Sequence, residues 1–283
     1  MTSIINTNLA ALGAQRALFR TSGELAVSLQ RLTSGVRINS SKDDAAGLAI
    51  VERLTTQVRG YTQAIRNAAD GISVAQTAEG GLESITRSLQ RIRELAVQSA
   101  NHTNSQADRD AIQQEVAELK HEIDRIANQT RFNGSALLDG SFSATSFQVG
   151  ANVGETIVIG SILDANTTVL GAITLSGVPK AMADVDLRTI AGSNDALQIV
   201  DQALDEVSSA RAKLGATMNR FEQTVSNLRI TVENQMGSRS RIQDADFATE
   251  TAALTRAQIL QQSGMEFLAL ANAVPRNVMA LLQ

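Results

Sequence analysis

From Leu54 the apolar positions run Leu54, Val58, Tyr61, Ile65, Ala68, Ile72 and Ala75 at alternating intervals of four and three, and the series resumes as Leu82, Ile85, Leu89, Ile92 and Ala96. That alternation places a narrow apolar stripe on one helix face, the pattern of coiled-coil packing. Asp70-Gly71 and Gly80-Gly81 fall inside the series as turn signals. The register barely shifts across them, so the segment reads as one long helix of reduced local stability. The polar stretch Asn101-His102-Thr103-Asn104-Ser105 ends it. A second stripe, Ile112, Val116, Leu119, Ile123 and Ile126, predicts a helix ending near Asn128, with Asn133-Gly134 as a turn.

The longest stripe lies in the C-terminal half: Leu197, Val200, Leu204, Val207, Arg211, Leu214, Met218, Phe221, Val225, Leu228 and Val232. Arg211 alone interrupts it, and its aliphatic stem can lie along such a seam. Ser193 or Asn194 is the expected N-cap. A helix from about 194 to 234 spans roughly 60 Å at ~1.5 Å per residue. It cannot bury its stripe alone and needs the N-terminal helices, so the contacts join segments far apart in sequence.

Residues 142–192 differ in composition. Phe147-Gln148-Val149 alternates, and Thr156-Ile157-Val158-Ile159 and Thr168-Val169-Leu170 are rich in β-branched residues. Gly150, Gly154, Gly160, Gly171 and Gly177 punctuate them, which predicts short hairpins carried as an insertion on a helical rod. The two chain ends are amphipathic. Ile5, Leu9 and Leu12, then Leu25, Leu29 and Leu32, keep four-three spacing with a phase slip near Ser22-Gly23. Phe247, Leu254 and Leu268 share a seven-residue spacing, with Ile259, Leu260, Leu270, Val274, Val278 and Leu281 adding apolar surface. Neither end holds a self-sufficient core, and isolated helices of this kind are marginal in water. They are expected to order by pairing with each other or with neighbouring copies, and exposed apolar stripes at both ends point to polymerisation.

Composition narrows the class. Aromatics make up 3 % of the 283 residues and Trp is absent, so the core must be Leu, Ile, Val, Ala and Met, which suits close helix packing. Two prolines, Pro179 and Pro275, leave room for very long helices. With no cysteine, disulfides, thiolate metal sites and cysteine nucleophiles are excluded. The net charge of -4 gives no reason to expect nucleic acid or an anionic membrane as partner. No run of 18 apolar residues predicts a transmembrane helix, and the first 30 residues lack a secretory signal pattern. Export would therefore need another route.

Candidate chemistry is sparse. His102 and His121 have no acid or Ser in a catalytic pattern and read as surface residues. Ser40-Ser41-Lys42-Asp43-Asp44 reads as a helix cap with acidic residues at the helix start, in preference to a metal or phosphate site. Glycine-rich phosphate loops, zinc-binding and hydrolase motifs are absent. No cofactor, metal or catalytic residue is expected, and Gln90-Arg91-Ile92-Arg93-Glu94 reads by itself as a solvated face.

The residues at both ends resemble bacterial flagellin. Ile4-Ile5-Asn6-Thr7-Asn8, with Ala10 and Leu12, is similar to a flagellin start. Arg31-Leu32-Thr33-Ser34-Gly35-Val36-Arg37-Ile38-Asn39, followed by Lys42-Asp43-Asp44-Ala45-Ala46-Gly47-Leu48-Ala49-Ile50, matches the best-known block of the family. Arg91-Ile92-Arg93-Glu94-Leu95-Ala96-Val97-Gln98-Ser99-Ala100-Asn101 matches a second. Ser240-Arg241-Ile242, Asp244-Ala245-Asp246-Phe247-Ala248 and Arg256-Ala257-Gln258-Ile259-Leu260 match a third, together with Asn272, Val274-Pro275 and Asn277-Val278.

The resemblance implies a mainly α fold in which both chain ends make a long-helix coiled-coil rod, with a small β-hairpin insertion in the middle. Residues 1–42 with 240–283 would form the terminal coiled-coil domain of the inner filament core, 43–141 with 193–239 the helical rod, and 142–192 a short variable surface insertion. Its function would be that of a secreted structural subunit, exported by the flagellar type III route and self-assembling into the extracellular filament for motility. Subunits would pack through Ile5, Leu9, Leu12, Leu25, Leu29, Leu32, Phe247, Leu254, Leu260, Leu268, Val274, Val278 and Leu281. Implied partners are further copies, the filament cap, hook-filament junction proteins and an export chaperone. A host Toll-like receptor would read Arg91, Leu95 and Glu115. Met265-Glu266-Phe267-Leu268-Ala269-Leu270 departs from the family pattern in being more apolar. A hook-filament junction protein is the alternative within the same logic, against which the full match of three blocks argues. A helical signalling rod is the alternative outside it, and such a rod needs no β-rich insertion.

Overall fold

A computed structural model describes residues 7–175 and 178–280, with side chains through 273. Among these residues five helices carry most of the chain: α1 Leu9–Ser34, α2 Ala45–Ser99, α3 Gln106–Gln129, α4 Ile190–Gln243 and α5 Phe247–Ala280. Three two-stranded antiparallel hairpins lie between α3 and α4: β1 Arg131–Phe132 with β2 Ser135–Ala136, β3 Thr145–Gln148 with β4 Thr156–Ile159, and β5 Ile173–Leu175 with β6 Val178–Lys180. The chain divides into two compact units, 1–58 with 233–283, and 59–232. Sequence placed the first divide at 42–43 and 239–240 instead.

The second unit has one continuous apolar core. Leu82, Ile85, Leu89, Ile92 and Ala96 of α2 pack with Ile112, Val116 and Ile123 of α3 and with Val200, Val207, Leu214 and Phe221 of α4. These are the stripes expected from spacing, and pairing them removes from water a seam that no single helix could cover. Neither Asp70-Gly71 nor Gly80-Gly81 breaks α2, which runs unbroken for 55 residues, about 80 Å at ~1.5 Å rise. Two of those glycines are notches. A Cβ on Gly71 would lie 2.7 Å from the tip of the Phe221 ring, and one on Gly81 would lie 2.7 Å from Leu138 Cδ1. Phe221 in turn meets Phe147 of β3 edge-on, with ring centroids 5.7 Å apart at 88°. Gly80 faces open space.

Segment 142–192 is not a surface layer. Ile157, Ile159, Ile162, Leu170, Met182, Val185 and Leu187 are all buried in the same core. Thr168-Val169-Leu170, expected as a strand, is a turn closed by the Asn166 carbonyl, which accepts from Val169 and Leu170 N–H at 3.0 and 2.9 Å. Asp124 on α3 fixes the neighbouring Thr167 by accepting its N–H at 2.8 Å and its hydroxyl at 3.0 Å. Lys120 and Gln113 hold the strap before α4. Lys120 Nζ donates to the Ala183 and Val185 carbonyls at 2.9 and 3.2 Å, and Gln113 Oε1 accepts from Leu187 N–H at 2.7 Å. Burial pushes the Lys120 ammonium below its usual range, against Asp184, Asp186 and Asp124, which hold it up. Arg109 is buried, and its guanidinium donates to the carbonyls of Ser99 and Asn101, closing the C-terminal end of α2.

Local chemistry sets the ends. Ser105 and Asp108 form a reciprocal capping box at the start of α3. The N-cap of α4 is Thr189, not Ser193 or Asn194, because its Oγ1 accepts from Gly192 N–H at 3.0 Å and its carbonyl from Ser193 N–H at 2.9 Å. Asn133 and Gly134 both take positive φ, 48° and 83°, the two-residue turn that matches hairpin twist.

Gly71→Ala should destabilise the folded chain by about 1–3 kcal/mol, because the added methyl must displace an aromatic ring fixed on its far side. Gly80→Ala should be neutral or stabilising by up to ~1 kcal/mol. Urea unfolding of the two variants side by side checks the contrast. Asp108 carries a pH signature as well. The hydroxyl and N–H of Ser105 hold its carboxyl below the usual carboxylate range. A depressed folded value gives stability that is present above about pH 4 and lost as pH falls through the folded value. Asp108→Asn should therefore flatten the acid limb of a midpoint-against-pH profile.

Candidate assembly surface

The first unit is tied at a turn between its helices. Gly35, at φ 72°, ends α1, and its N–H returns to the Arg31 carbonyl at 2.9 Å. Arg37 N–H then donates to the Gln243 carbonyl at 2.6 Å, and Ala245 N–H to the Gly35 carbonyl at 3.0 Å, beside an antiparallel bridge from Val36 to Asp244. Ile38 lies buried beneath this link. Asp44 Oδ1 accepts from Gly47 N–H at 2.8 Å and caps α2, so the Ser40–Asp44 run serves as a cap. Asp43 accepts from the N–H groups of Ser40 and Asn39, which hold its carboxyl below the usual range. Asp246 caps α5, and its carboxyl is lowered by the Thr249 hydroxyl and the Ala248 N–H.

α1 and α5 pack antiparallel. Asn8, the N-cap of α1, donates through Nδ2 to the Ala271 carbonyl at 2.7 Å, while at the opposite end Arg31 pairs with Glu250 at 3.7 Å. The most buried positions of the seam between them are small residues. On α1 the buried positions are Ala11, Ala14, Thr21 and Ser28, and half-buried Leu18 and Leu25 complete the three-four series. On α5 the matching series is Leu254, Ala257, Gln261, Gly264, Leu268 and Ala271, of which Ala257 and Ala271 are buried. Leu18 reaches so close to Gly264 that a Cβ there would lie 2.8 Å from its Cδ2. Thr21 needs no partner across the seam, because its hydroxyl donates to the Ala17 carbonyl at 3.0 Å.

The large apolar side chains point the other way. Phe19 is 87 % exposed, and Leu9, Leu12, Val27 and Leu29 on α1 are also exposed. On α5, Ile259, Leu260, Phe267 and Leu270 are exposed on one flank, and Phe247 and Met265 are exposed on another. Of the residues expected from sequence to pack subunits together, Leu9, Leu12, Leu29, Phe247 and Leu260 therefore face out, while Leu25, Leu32, Leu254 and Leu268 are half-buried. Ile5 and Leu281 lie outside the described residues, as do the side chains of Val274 and Val278. Sequence reasoning missed the small-residue seam, whose signal was Ala, Ser and Gly recurring at helical spacing.

The residues expected to meet a receptor are split by burial. Arg91 Nε donates to Glu115 Oε1 at 2.7 Å and its Nη1 to Glu94 Oε2 at 3.0 Å, which raises its pKa, with Glu115 the larger cause. Both partners of the Arg91–Glu115 pair are about half exposed, so water screens most of the attraction. Leu95 is 2 % exposed and sits in the core. It shapes α2 from inside and offers no side chain to a partner. His102 and His121 are exposed, as expected.

Comparison with known proteins agrees with this architecture. The family description "Bacterial flagellin N-terminal helical region" matches residues 5–143, and "Bacterial flagellin C-terminal helical region" matches 197–282. A flagellin of Xenorhabdus nematophila is 44 % identical over 314 aligned residues, and flagellin A of Vibrio anguillarum 37 % over 379, each covering all of both chains. The solved structure of FliC from Burkholderia pseudomallei is 26 % identical, with a TM-score of 0.50, over 53 % of this chain and 99 % of that one. Neither a junction protein nor a signalling rod is favoured by these likenesses. With both helical regions matched and full-length relatives at this identity, the chain belongs to the bacterial flagellin family and is a structural subunit of the flagellar filament.

Proposed function

We propose that subunits join through the outward faces of α1 and α5. The observation that carries this reading is the inversion of the terminal pair. Its small residues lie inside, and Phe19, Ile259, Leu260, Phe267 and Leu270 lie outside. A pair so arranged leaves much of its apolar surface in water, and further copies of the same pair are the surface that covers it. Each added subunit then offsets the ordering of the ends by burial that the free chain lacks.

The work is mechanical, and no residue has a catalytic role. Residues 1–42 with 240–283 form the inner filament core. The subunit leaves the cell by the flagellar type III route and acts outside it, with the cap, junction proteins and export chaperone as its further partners. A host Toll-like receptor reads the exposed Arg91–Glu115 pair, with Leu95 setting the helix beneath it.

Leu260→Asp places a charge where the free chain is already exposed, so helix content should persist. Extension of short filament seeds, followed by electron microscopy, should fall by at least about 100-fold, since a carboxylate buried without a partner costs several kcal/mol. Leu268→Asp should also stop extension, through the seam within the chain. Normal filaments from the Leu260 variant would overturn the outward-face reading. For the receptor, Arg91→Ala should weaken a cell-based Toll-like receptor reporter with purified monomer, whereas Arg87→Ala should leave it unchanged. An equal response from wild type and the Arg91 variant would remove that contact.

A further inference from the structure

Asn133-Gly134 is the one Asn-Gly dipeptide in the chain. Both residues are exposed at the tip of the β1–β2 hairpin. A Cβ added to Gly134 would meet nothing within 4 Å, so the tip is sterically open. Neither the Asn133 amide nor the Gly134 N–H has a hydrogen-bond partner among the described residues. The hairpin has two residue pairs, Arg131 with Ala136 and Phe132 with Ser135, continued by the Leu137 N–H, which donates to the Thr130 carbonyl at 3.0 Å. Such a ladder opens at little free-energy cost.

The two asparagines followed by serine are restrained. Asn39 donates through Nδ2 to Ser34 Oγ at 2.7 Å, and the N–H after it, on Ser40, donates to Asp43 at 2.9 Å. Asn104 donates through Nδ2 to the Gln98 carbonyl at 2.6 Å, and the N–H of Ser105 donates to Asp108 at 3.0 Å. In each case the amide and the backbone nitrogen that would attack it are both occupied.

We infer that Asn133 is a site of spontaneous covalent modification, the chain's preferred point of deamidation. When the hairpin opens, the Gly134 backbone nitrogen attacks Asn133 Cγ. A carbon–nitrogen bond forms, the bond to the side-chain nitrogen breaks, and the displaced proton leaves with it as ammonia. Water then opens the resulting succinimide at either carbonyl, giving Asp or isoaspartate, with no change of oxidation state. Isoaspartate routes the chain through the former side chain and adds one backbone atom. The two-residue turn then no longer fits the register of β1 and β2. Leu137 and Leu138, buried immediately after β2, are the core residues this would loosen. The inference stands on the second unit alone and does not depend on assembly.

The folded full chain, incubated in mildly alkaline buffer and mapped by peptide mass spectrometry, tests it. Deamidation should accumulate at Asn133 several times faster than at Asn39 or Asn104, and an isoaspartyl methyltransferase should label the Asn133 peptide. Asn133→Gly keeps a turn pair that accepts positive φ and lacks the amide. After ageing it should retain its unfolding midpoint, while the aged wild type shifts to lower urea. Deamidation at Asn133 no faster than at Asn39 and Asn104, or equal ageing of both chains, would overturn the inference.

Discussion

Everything distinctive about the first unit depends on the close approach of α1 and α5, and small side chains set that approach. Ala11, Ala14, Thr21 and Ser28 on one helix meet Ala257, Gly264 and Ala271 on the other. Small residues at a seam bring helix axes together and gain dispersion along the whole length, but they bury little apolar area per residue. At roughly 25 cal/mol per Å² such a seam is a weak source of stability. Exposed Phe19, Ile259, Phe267 and Leu270 represent burial that the free chain does not realise. The same choice of residues that makes the pair modest by itself leaves large apolar side chains in water.

The second unit is built on the opposite rule. Large side chains such as Phe221, Leu82, Ile85, Leu89 and Ile92 are fully buried, and glycine appears where Phe221 and Leu138 come close to α2. The hairpin segments complete this core, since Ile159, Leu170 and Met182 fill space that α2, α3 and α4 leave open. Ion pairs on its surface, such as Arg93–Asp201 at 2.7 Å and Arg211–Glu79 at 2.7 Å, link α2 to α4 and fix register more than they add stability.

These two rules explain what could be read from the chain. The long stripes were legible because Leu, Ile and Val at fours and threes have one geometric meaning, and the helices around them formed as expected. The end blocks from Arg31 and from Ser240 carried the family, and Asn133-Gly134 carried its turn. What stayed hidden was anything decided by a partner distant in sequence. Gly71 looks like a breaker until Phe221 is seen against it. Thr168-Val169-Leu170 looks like a strand until Asp124 pins its neighbour Thr167. Buried Arg109 gave no signal, because nothing local marks an arginine that will close the end of another helix. At the terminal helices the large apolar residues were legible, and the small ones that pack between the two helices were not. Leu9, Leu12 and Leu29 are outside, while Leu25, Leu254 and Leu268 enter a seam whose most buried positions, Ala, Thr and Ser, a hydrophobicity pattern passes over.

The division of labour between the two seams follows from what each must do. A subunit that joins others through its ends must leave part of its large apolar surface there uncovered, as Phe19, Ile259, Phe267 and Leu270 are. It also cannot leave those ends without any internal partner, or they would be unfolded chains whose full ordering entropy falls on the association step. The small-residue seam is the intermediate solution. It aligns α1 with α5 and, with the Arg37 and Ala245 hydrogen bonds at their junction, fixes which side chains face outward. Enlarging the seam at Gly264 would force the helices apart there. If the outward faces join subunits as proposed, stability within the subunit and adhesion between subunits are set largely by different residues on the same two helices.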